Sequence, residues 1–239
     1  MSLEELEALV LVQERDTALD RLRHRRATLP ERAELERRGA ELRAREVEAN
    51  GVRARRDDVL AEERRLDDQT RTIGAHADEV DKKLYSGTVA SPRDLQALQA
   101  DVDMLRRQRS DLEDRELEVM EERETLDGRL ADLETEVARL QTETQRLRDA
   151  IAAAETETDA EIASEDAARR AQMAVVPTGL LADYERRRAQ NRGGGAARLV
   201  GTTCQACHLS IPSTEAERIR RAAGSVVAYC DNCGAILVP

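Results

Sequence analysis

The sequence predicts a mainly α-helical fold: a long antiparallel helical hairpin, packed as a coiled coil, with a small C-terminal β zinc ribbon. Charged residues make up 36% of the 239 residues, whereas Trp and Phe are absent and Tyr occurs three times. This composition is typical of long helices and differs from that of an aromatic globular core. Apolar residues recur every seven positions through the middle of the chain, and all four cysteines lie in its last 36 residues.

The first arm of the hairpin is predicted from an apolar repeat that ends near residue 84. We expect Pro30 to interrupt this arm, because proline removes a helical donor and clashes with the preceding turn. Residues 6–12 are more apolar than a single stripe requires, so we expect them to pack on residues 175–181 or to serve a partner. The repeat itself consists of Val52, Val59, Leu66, Ile73 and Val80.

The second arm carries the longer repeat, and a short break separates it from the first. In the break "LYSGTVASPRDLQAL", Gly87 suits a helix end, Ser91 an N-cap and Pro92 the first helical turn. The hairpin is therefore predicted over residues 1–174, with its tip near 85–91 and a kink near 30. The repeat of the second arm runs through Leu98, Leu105, Leu112, Val119, Leu126, Leu133, Leu140 and Leu147.

Folding the two arms about this tip gives a predicted register. Glu63 then faces Arg109, and Arg56 faces Glu116; the apolar pairs are Val59–Leu112, Leu66–Leu105 and Ile73–Leu98. We expect the charged pairs to set the register, since polar residues within an apolar interface often do so. The alternative is that these charges are solvated and flank the stripe.

Residues 175–195 are predicted as a short helix, from about 179 to 190, and a glycine hinge, and residues 196–239 as a compact module. The module contains Cys204-x2-Cys207 and, after 22 residues, Cys230-x2-Cys233. Two such pairs bring four thiolates around one structural zinc ion, which supplies folding free energy to a small domain. Short β runs flank the pairs, Gly234 suits a turn with positive φ, and Thr214 with Glu217 suggests a capping box in the spacer.

Other interpretations of "CQACH" (204–208) are less consistent with the rest of the chain. Covalent haem attachment requires export, and no export signal is visible; a redox motif requires one pair at the start of a helix in a βαβ unit. His208 is therefore expected to be a bystander beside the zinc. No apolar run is long enough to span a membrane, so we expect a cytoplasmic protein without membrane contact.

Charge is distributed unevenly. Residues 1–182 carry a net charge of −14, and residues 183–239 carry +3. The C-terminal arginines are interpreted either as a surface that contacts phosphates or a partner, or as solvated charges that balance an acidic stem. No paired catalytic carboxylates, phosphate-binding loop or Ser/His/Asp set is evident, so we expect no enzyme. The arginines are Arg186, Arg187, Arg188, Arg192, Arg198, Arg218, Arg220 and Arg221.

The segment "LYSGTVASPRDLQALQADVD" (84–103), the two cysteine pairs and the lead-in "VVPTGLLADYERRR" resemble a bacterial family of coiled-coil hairpin proteins with a C4-type zinc ribbon. The resemblance implies a long kinked hairpin with the ribbon at its open end and zinc on Cys204, Cys207, Cys230 and Cys233. It also implies adaptor or chaperone roles, since some relatives act in flagellar or secretion systems and bind a sigma factor, export components or messenger RNA.

We therefore expect a non-enzymatic adaptor: the acidic hairpin would bind protein partners, such as transcription or secretion machinery, and the basic ribbon end would bind RNA, DNA or a protein. An alternative is a transcription factor that inserts its hairpin tip into an RNA polymerase channel, an idea that rests on shape analogy alone. A purely structural spacer is a third hypothesis. The pattern is compatible with a monomer or a dimer.

Overall fold

The structure is a computed structural model and describes residues 2–191 and 194–239; Arg192 and Gly193 lie outside the described residues. It contains long helices that form a hairpin and a short C-terminal sheet region. The elements are α1 (Leu3–Ala27), α2 (Pro30–Tyr85), α3 (Pro92–Met173), α4 (Thr178–Gln190), β1 (Ala196–Val200), β2 (Thr203–Cys204), α5 (Ser213–Arg221), β3 (Ala228–Tyr229) and β4 (Ile236–Val238).

The chain divides into two compact units. One comprises Met1–Ala33 with Leu147–Pro239, and the other comprises Glu34–Arg146. The first unit thus combines the open end of the predicted hairpin (1–174) with the predicted short helix and hinge (175–195) and the predicted ribbon module (196–239). Among the described helices, none has both the length and the apolar character needed to cross a bilayer.

The second unit is the hairpin of α2 and α3. The helices run antiparallel, since Glu48 pairs with Arg129 while Asp81 pairs with Arg106. Two apolar clusters hold them together, one around Val52 and Leu130 and one around Val80 and Val102. Gly87 in the connection has φ +71°, a conformation that glycine adopts without strain.

The predicted register is wrong by about three helical turns. Glu63 binds Arg123, not Arg109, and Arg56 lies 3.3 Å from Asp127 instead of facing Glu116. Arg109 pairs within its own helix with Glu113. In a heptad repeat, a second set of interface positions lies three or four residues from the first. One helix can therefore slide along the other by eleven residues, seven plus four, and still place apolar side chains opposite one another. Periodicity alone therefore left this choice open.

The first unit is built around a four-stranded sheet of order β2-β1-β4-β3, in which β1 and β4 are parallel and the other neighbours antiparallel. Side chains of successive residues leave opposite faces of a strand. Ile236 and Val238 accordingly join the core with α1 and α4, whereas Ala235 and Leu237 join the core with α5 and the cysteines.

The apolar N-terminal residues are part of this core. Leu6, Leu9 and Val12 are at most 2% exposed and cluster with Val176 and Leu180. The predicted packing on the returning segment is confirmed, and the ribbon sheet forms the rest of the same cluster. Burial of this extent stabilises the folded state by roughly 2 kcal/mol for each large apolar side chain.

The predicted capping box at Thr214 and Glu217 is wrong. Helix α5 begins at Ser213 after Pro212, which has extended backbone angles and no side-chain cap. The helix thus starts two residues earlier than an N-cap at Thr214 would allow, and Thr214 lies inside its first turn. Glu217 instead pairs with Arg220 and Arg221 one turn later.

We predict that the Glu63–Arg123 pair sets the register. Arg123 Nη1 donates to both carboxylate oxygens of Glu63 at 2.8 and 2.7 Å, and the Glu63 side chain is 16% exposed. A double-mutant cycle with Glu63→Ala and Arg123→Ala, measured by urea unfolding, should give a coupling energy of about 1 kcal/mol. The same cycle with Arg109→Ala should give a value near zero. Equal couplings would contradict the observed register.

Candidate zinc centre and adjoining groove

The two cysteine pairs form equivalent turns. In the first, His208 N donates to Cys204 O at 2.8 Å; in the second, Gly234 N donates to Cys230 O at 2.7 Å. His208 has φ +59° and Gly234 has φ +73°, so both occupy the left-handed region after the second cysteine of a pair. His208 is thus explained by a backbone position in the turn, and its side chain is exposed.

The four thiols converge with a spacing that fits zinc. Their sulfur atoms all lie within 4.8 Å of one another, and the pairs Cys204–Cys233 and Cys207–Cys230 are separated by 3.9 and 3.8 Å. Tetrahedral zinc with bonds of about 2.3 Å requires sulfur atoms about 3.8 Å apart. The residues therefore fit one structural Zn²⁺, and four thiolates leave no coordination position for a substrate.

Burial makes two of the four thiols, those of Cys204 and Cys233, reluctant to ionise without a metal, whereas hydrogen bonds from the second cysteine turn and the Cys207 thiol lower the pKa of Cys230. Burial raises the pKa of Cys204, against the opposing effect of the Cys207 and Ala206 backbone N–H groups. Burial and the neighbouring thiols raise the pKa of Cys233 to about 12. A thiol must lose its proton to bind zinc, so metal binding releases protons and should strengthen as pH rises.

Arg187 connects the second cysteine turn to α4. Its Nη1 donates to Gly234 O at 2.7 Å, and its guanidinium carbon lies 3.7 Å from the centre of the Tyr229 ring. Asp183 accepts hydrogen bonds from both Arg187 Nε and the Tyr229 hydroxyl. This arginine therefore stabilises the turn beside the metal site and is unavailable to a ligand.

A buried polar cluster joins the helices beneath the ribbon. Asp16, 2% exposed, accepts hydrogen bonds from the Tyr184 hydroxyl at 2.6 Å and Arg169 Nε at 2.7 Å. Burial and the Asp16 carboxylate raise the pKa of Tyr184 above its usual range. Gly195 lies so close that a Cβ there would be 2.7 Å from the Tyr184 ring. No sequence pattern marks this cluster, because Asp16 resembles any other helix-surface acid.

The structure divides the predicted arginines among different environments. Arg187 and Arg188 are bound within the unit; Arg188 Nη2 donates to Asp20 at 2.6 Å. Arg186, Arg218 and Arg221 have exposed side chains that pair with acids on their own helices, and Arg220 also donates to Gly201 O. Arg198 is exposed on β1, and Arg192 lies outside the described residues.

The arginines of this set that the structure describes do not form a single surface. Ala197 and Leu199 pack in the cluster that contains Ala216 and Ile219 of α5. Because side chains alternate along β1, Arg198 lies on the sheet face opposite α5. The α5 arginines and Arg198 are therefore separated by the sheet.

Arg198 instead lines a groove between α1 and the first cysteine turn. The groove has a volume of about 780 Å³. Arg21 and His24 of α1 line it together with Arg198, Gln205 and His208. Neither Arg21 nor Arg198 forms an ion pair with another described residue. Two acids also line the groove, and one of them, Asp20, is engaged by Arg188. The α1 contribution depends on tertiary packing, so no local sequence signal could have indicated it.

Comparison with known families matches two family models to the chain. A CT398-like coiled coil hairpin domain matches residues 12–192, and a C4-type zinc ribbon domain matches residues 203–237. The first description names an architecture, and the second names a zinc-binding fold. The second match supports the assignment of one structural zinc to the four clustered cysteines.

Relatives extend over almost the whole chain. Uncharacterised proteins of two Mycobacterium tuberculosis strains are 33% identical over 230 residues, which is 93% of this chain and 90% of theirs. A solved structure from Mycobacterium smegmatis matches with a TM-score of 0.85 and 28% identity, covering 100% of this chain and 98% of that one. CT398 from Chlamydia trachomatis matches with a TM-score of 0.68 and 15% identity, covering 98% and 96%, and shows the fold alone.

We predict that the protein binds one zinc ion per chain and that Cys230→Ser loses it, because three thiolates bind far more weakly than four. Elemental analysis after dialysis measures the metal content. His208→Gly is the matched control: it should retain the zinc, since glycine adopts the left-handed backbone at this position. Loss of zinc in the glycine variant would show that His208 is a ligand.

We predict that Gly195→Ala destabilises the first unit by about 1–3 kcal/mol, because the added methyl group would collide with the Tyr184 ring and backbone. Gly179→Ala is the control: no atom lies within 4 Å of its Cβ position, and alanine favours a helix. Urea unfolding followed by circular dichroism in excess zinc measures both. Equal stability of the two variants would contradict the close approach.

Proposed function

The chain belongs to the CT398-like coiled-coil hairpin family and ends in a C4-type zinc ribbon, and from this we propose that it is a non-enzymatic adaptor. The hairpin engages protein partners, and the groove beside the ribbon binds single-stranded nucleic acid through its phosphates. The zinc is structural, because all four thiolates are used to hold it.

The observation that carries the nucleic-acid part is the pair of cations in the groove. Residues 186–214 contain five arginines and no acid, in a chain whose net charge is −11. Arg198 from this run and Arg21 from α1 line the same concavity without an ion pair among the described residues. A phosphate that binds there displaces no ion-pair partner of either arginine, and the attraction of the two cations is offset in part by the exposed Glu14 carboxylate in the same lining.

Single strands suit this groove better than a duplex. Asn191 and Gln205 line it and provide amide groups for polar contacts with exposed bases or sugars. Aromatic stacking contributes little, because Tyr184 is fully buried and Tyr229 stacks on Arg187. We therefore expect binding dominated by phosphates, with strong salt dependence and weak base preference.

The polymerase-channel alternative gains no support from the tip. The analogy is with hairpins that have acidic tips, whereas this tip is mixed: residues 82–93 contain three cations and no acid, and Asp78, Glu79, Asp81 and Asp94 flank them. Asp81, the nearest preceding acid, is engaged by Arg106 at 3.0 Å. Among the described residues, the groove is the feature that favours a nucleic-acid ligand.

We predict that the full-length protein binds a labelled 20-nucleotide oligo(U) or oligo(dT) strand, and that Arg21→Ala with Arg198→Ala weakens binding about tenfold. Fluorescence anisotropy at 50 to 200 mM salt measures the affinity. Loss of two phosphate contacts should also reduce the slope of log K against log salt by about 1.4 for a single strand. The two strands compare RNA with DNA.

Arg218→Ala with Arg221→Ala is the matched control. It removes the same charge from α5, on the other face of the sheet, and should leave the affinity within about twofold. A larger loss of affinity in the α5 variant would show that the nucleic acid binds at α5 and not in the groove. Absence of binding by the unmodified protein would refute the nucleic-acid part and leave the ribbon as a protein-binding module.

A further inference from the structure

The hairpin tip carries three cations in a short stretch that is flanked by acids, Asp81 before it and Asp94 after it. Residues 82–93, which we call the tip cap, contain Lys82, Lys83 and Arg93 and no acid, although about one residue in five of the whole chain is acidic. Lys83 pairs with Glu79 at 2.9 Å. Lys82 and Arg93 form no ion pair within the described residues, so their charges are available to an external ligand.

An exposed tyrosine accompanies these cations. Tyr85 is 76% exposed, whereas Tyr184 is buried and Tyr229 stacks on Arg187. Lys82 precedes Tyr85 by three residues on α2, so their side chains are neighbours on one helix face. Tyrosine next to a cation is the composition of protein-binding hot spots, because the ring offers a large contact area at small entropic cost.

The tip cap is also held in a defined conformation. Ser86 Oγ donates to Lys83 O at 2.8 Å and accepts from Thr88 N at 3.3 Å. Gly87 provides the left-handed turn between them. A ligand that binds a turn already fixed by internal hydrogen bonds has less conformational entropy to overcome.

The charges just below the tip cap limit what can bind. Asp78, Asp94 and Asp101 are exposed within a few turns of it. A nucleic-acid strand that extended past the cap would meet these carboxylates and be repelled. A short acidic peptide avoids them, because its carboxylates can be confined to the cap while an apolar side chain contacts Tyr85.

We propose that the tip cap binds a short acidic segment of a protein partner, with carboxylates on Lys82 and Arg93 and an apolar side chain on Tyr85. This inference rests on the proposed adaptor function and assigns a partner class to the hairpin. The nucleic-acid groove belongs to the other compact unit and uses different residues, so the two sites are tested separately.

The test uses the full-length zinc-bound protein and a phage-displayed library of 12-residue peptides. Selection should enrich peptides with several Asp or Glu residues around an aromatic or aliphatic residue. Binding of synthetic copies is measured by fluorescence anisotropy. Lys82→Ala with Arg93→Ala should weaken it at least tenfold, Tyr85→Ala should do the same, and Tyr85→Phe should retain most of the affinity.

Arg43→Ala with Arg64→Ala is the matched control: both arginines are exposed on α2 and form no ion pair with the described residues. This variant, and the Arg21/Arg198 groove variant, should bind the peptides normally. Unchanged melting temperatures would show that all variants are folded. Enrichment without an acidic consensus, affinity that survives the tip substitutions, or competition by oligo(U) at the cap would each overturn the proposal.

Discussion

The alternation of side chains along β4 is the constraint on which the first unit depends. Ile236 and Val238 face α1 and α4, while Ala235 and Leu237 face α5 and the cysteines. A three-residue strand thus takes part in two cores, one closed by helices and one closed by zinc. Both cores are small and share this strand, so a change in one is transmitted to the other through β4.

Polar contacts then fix how these layers fit together. A buried carboxylate is costly unless it is fully engaged, and Asp16 satisfies this requirement only when α3 supplies Arg169 and α4 supplies Tyr184. The Tyr184 ring in turn leaves no space for a side chain at Gly195. The buried cluster thus holds the Tyr184 ring in place, and the position of that ring requires glycine at residue 195, just before β1 begins.

The parts predicted from sequence are those set by local chemistry. Proline and glycine mark the ends of α2 and the start of α3, and the spacing of the cysteines identifies the zinc turns. The predicted register was wrong because heptad periodicity is nearly unchanged by a shift of three turns, so the choice rests on tertiary contacts such as the Glu63–Arg123 pair. The roles of Arg187 and Asp16 were hidden for a related reason: a charged residue on a helix is expected to be solvated until its tertiary partners are known.

Net charge is consequently a poor guide to what this protein binds. Acids are so frequent that most arginines find one nearby, and an arginine without a partner marks a position where a ligand displaces nothing. The lack of an ion-pair partner does not by itself identify a binding site, since Arg43 and Arg64 also lack one among the described residues and lie on an exposed helix surface. Arg198 differs because it lies in a concavity with Arg21, and Lys82 differs because it adjoins an exposed tyrosine. A free cation becomes a recognition element when shape or an apolar contact limits which anion can reach it.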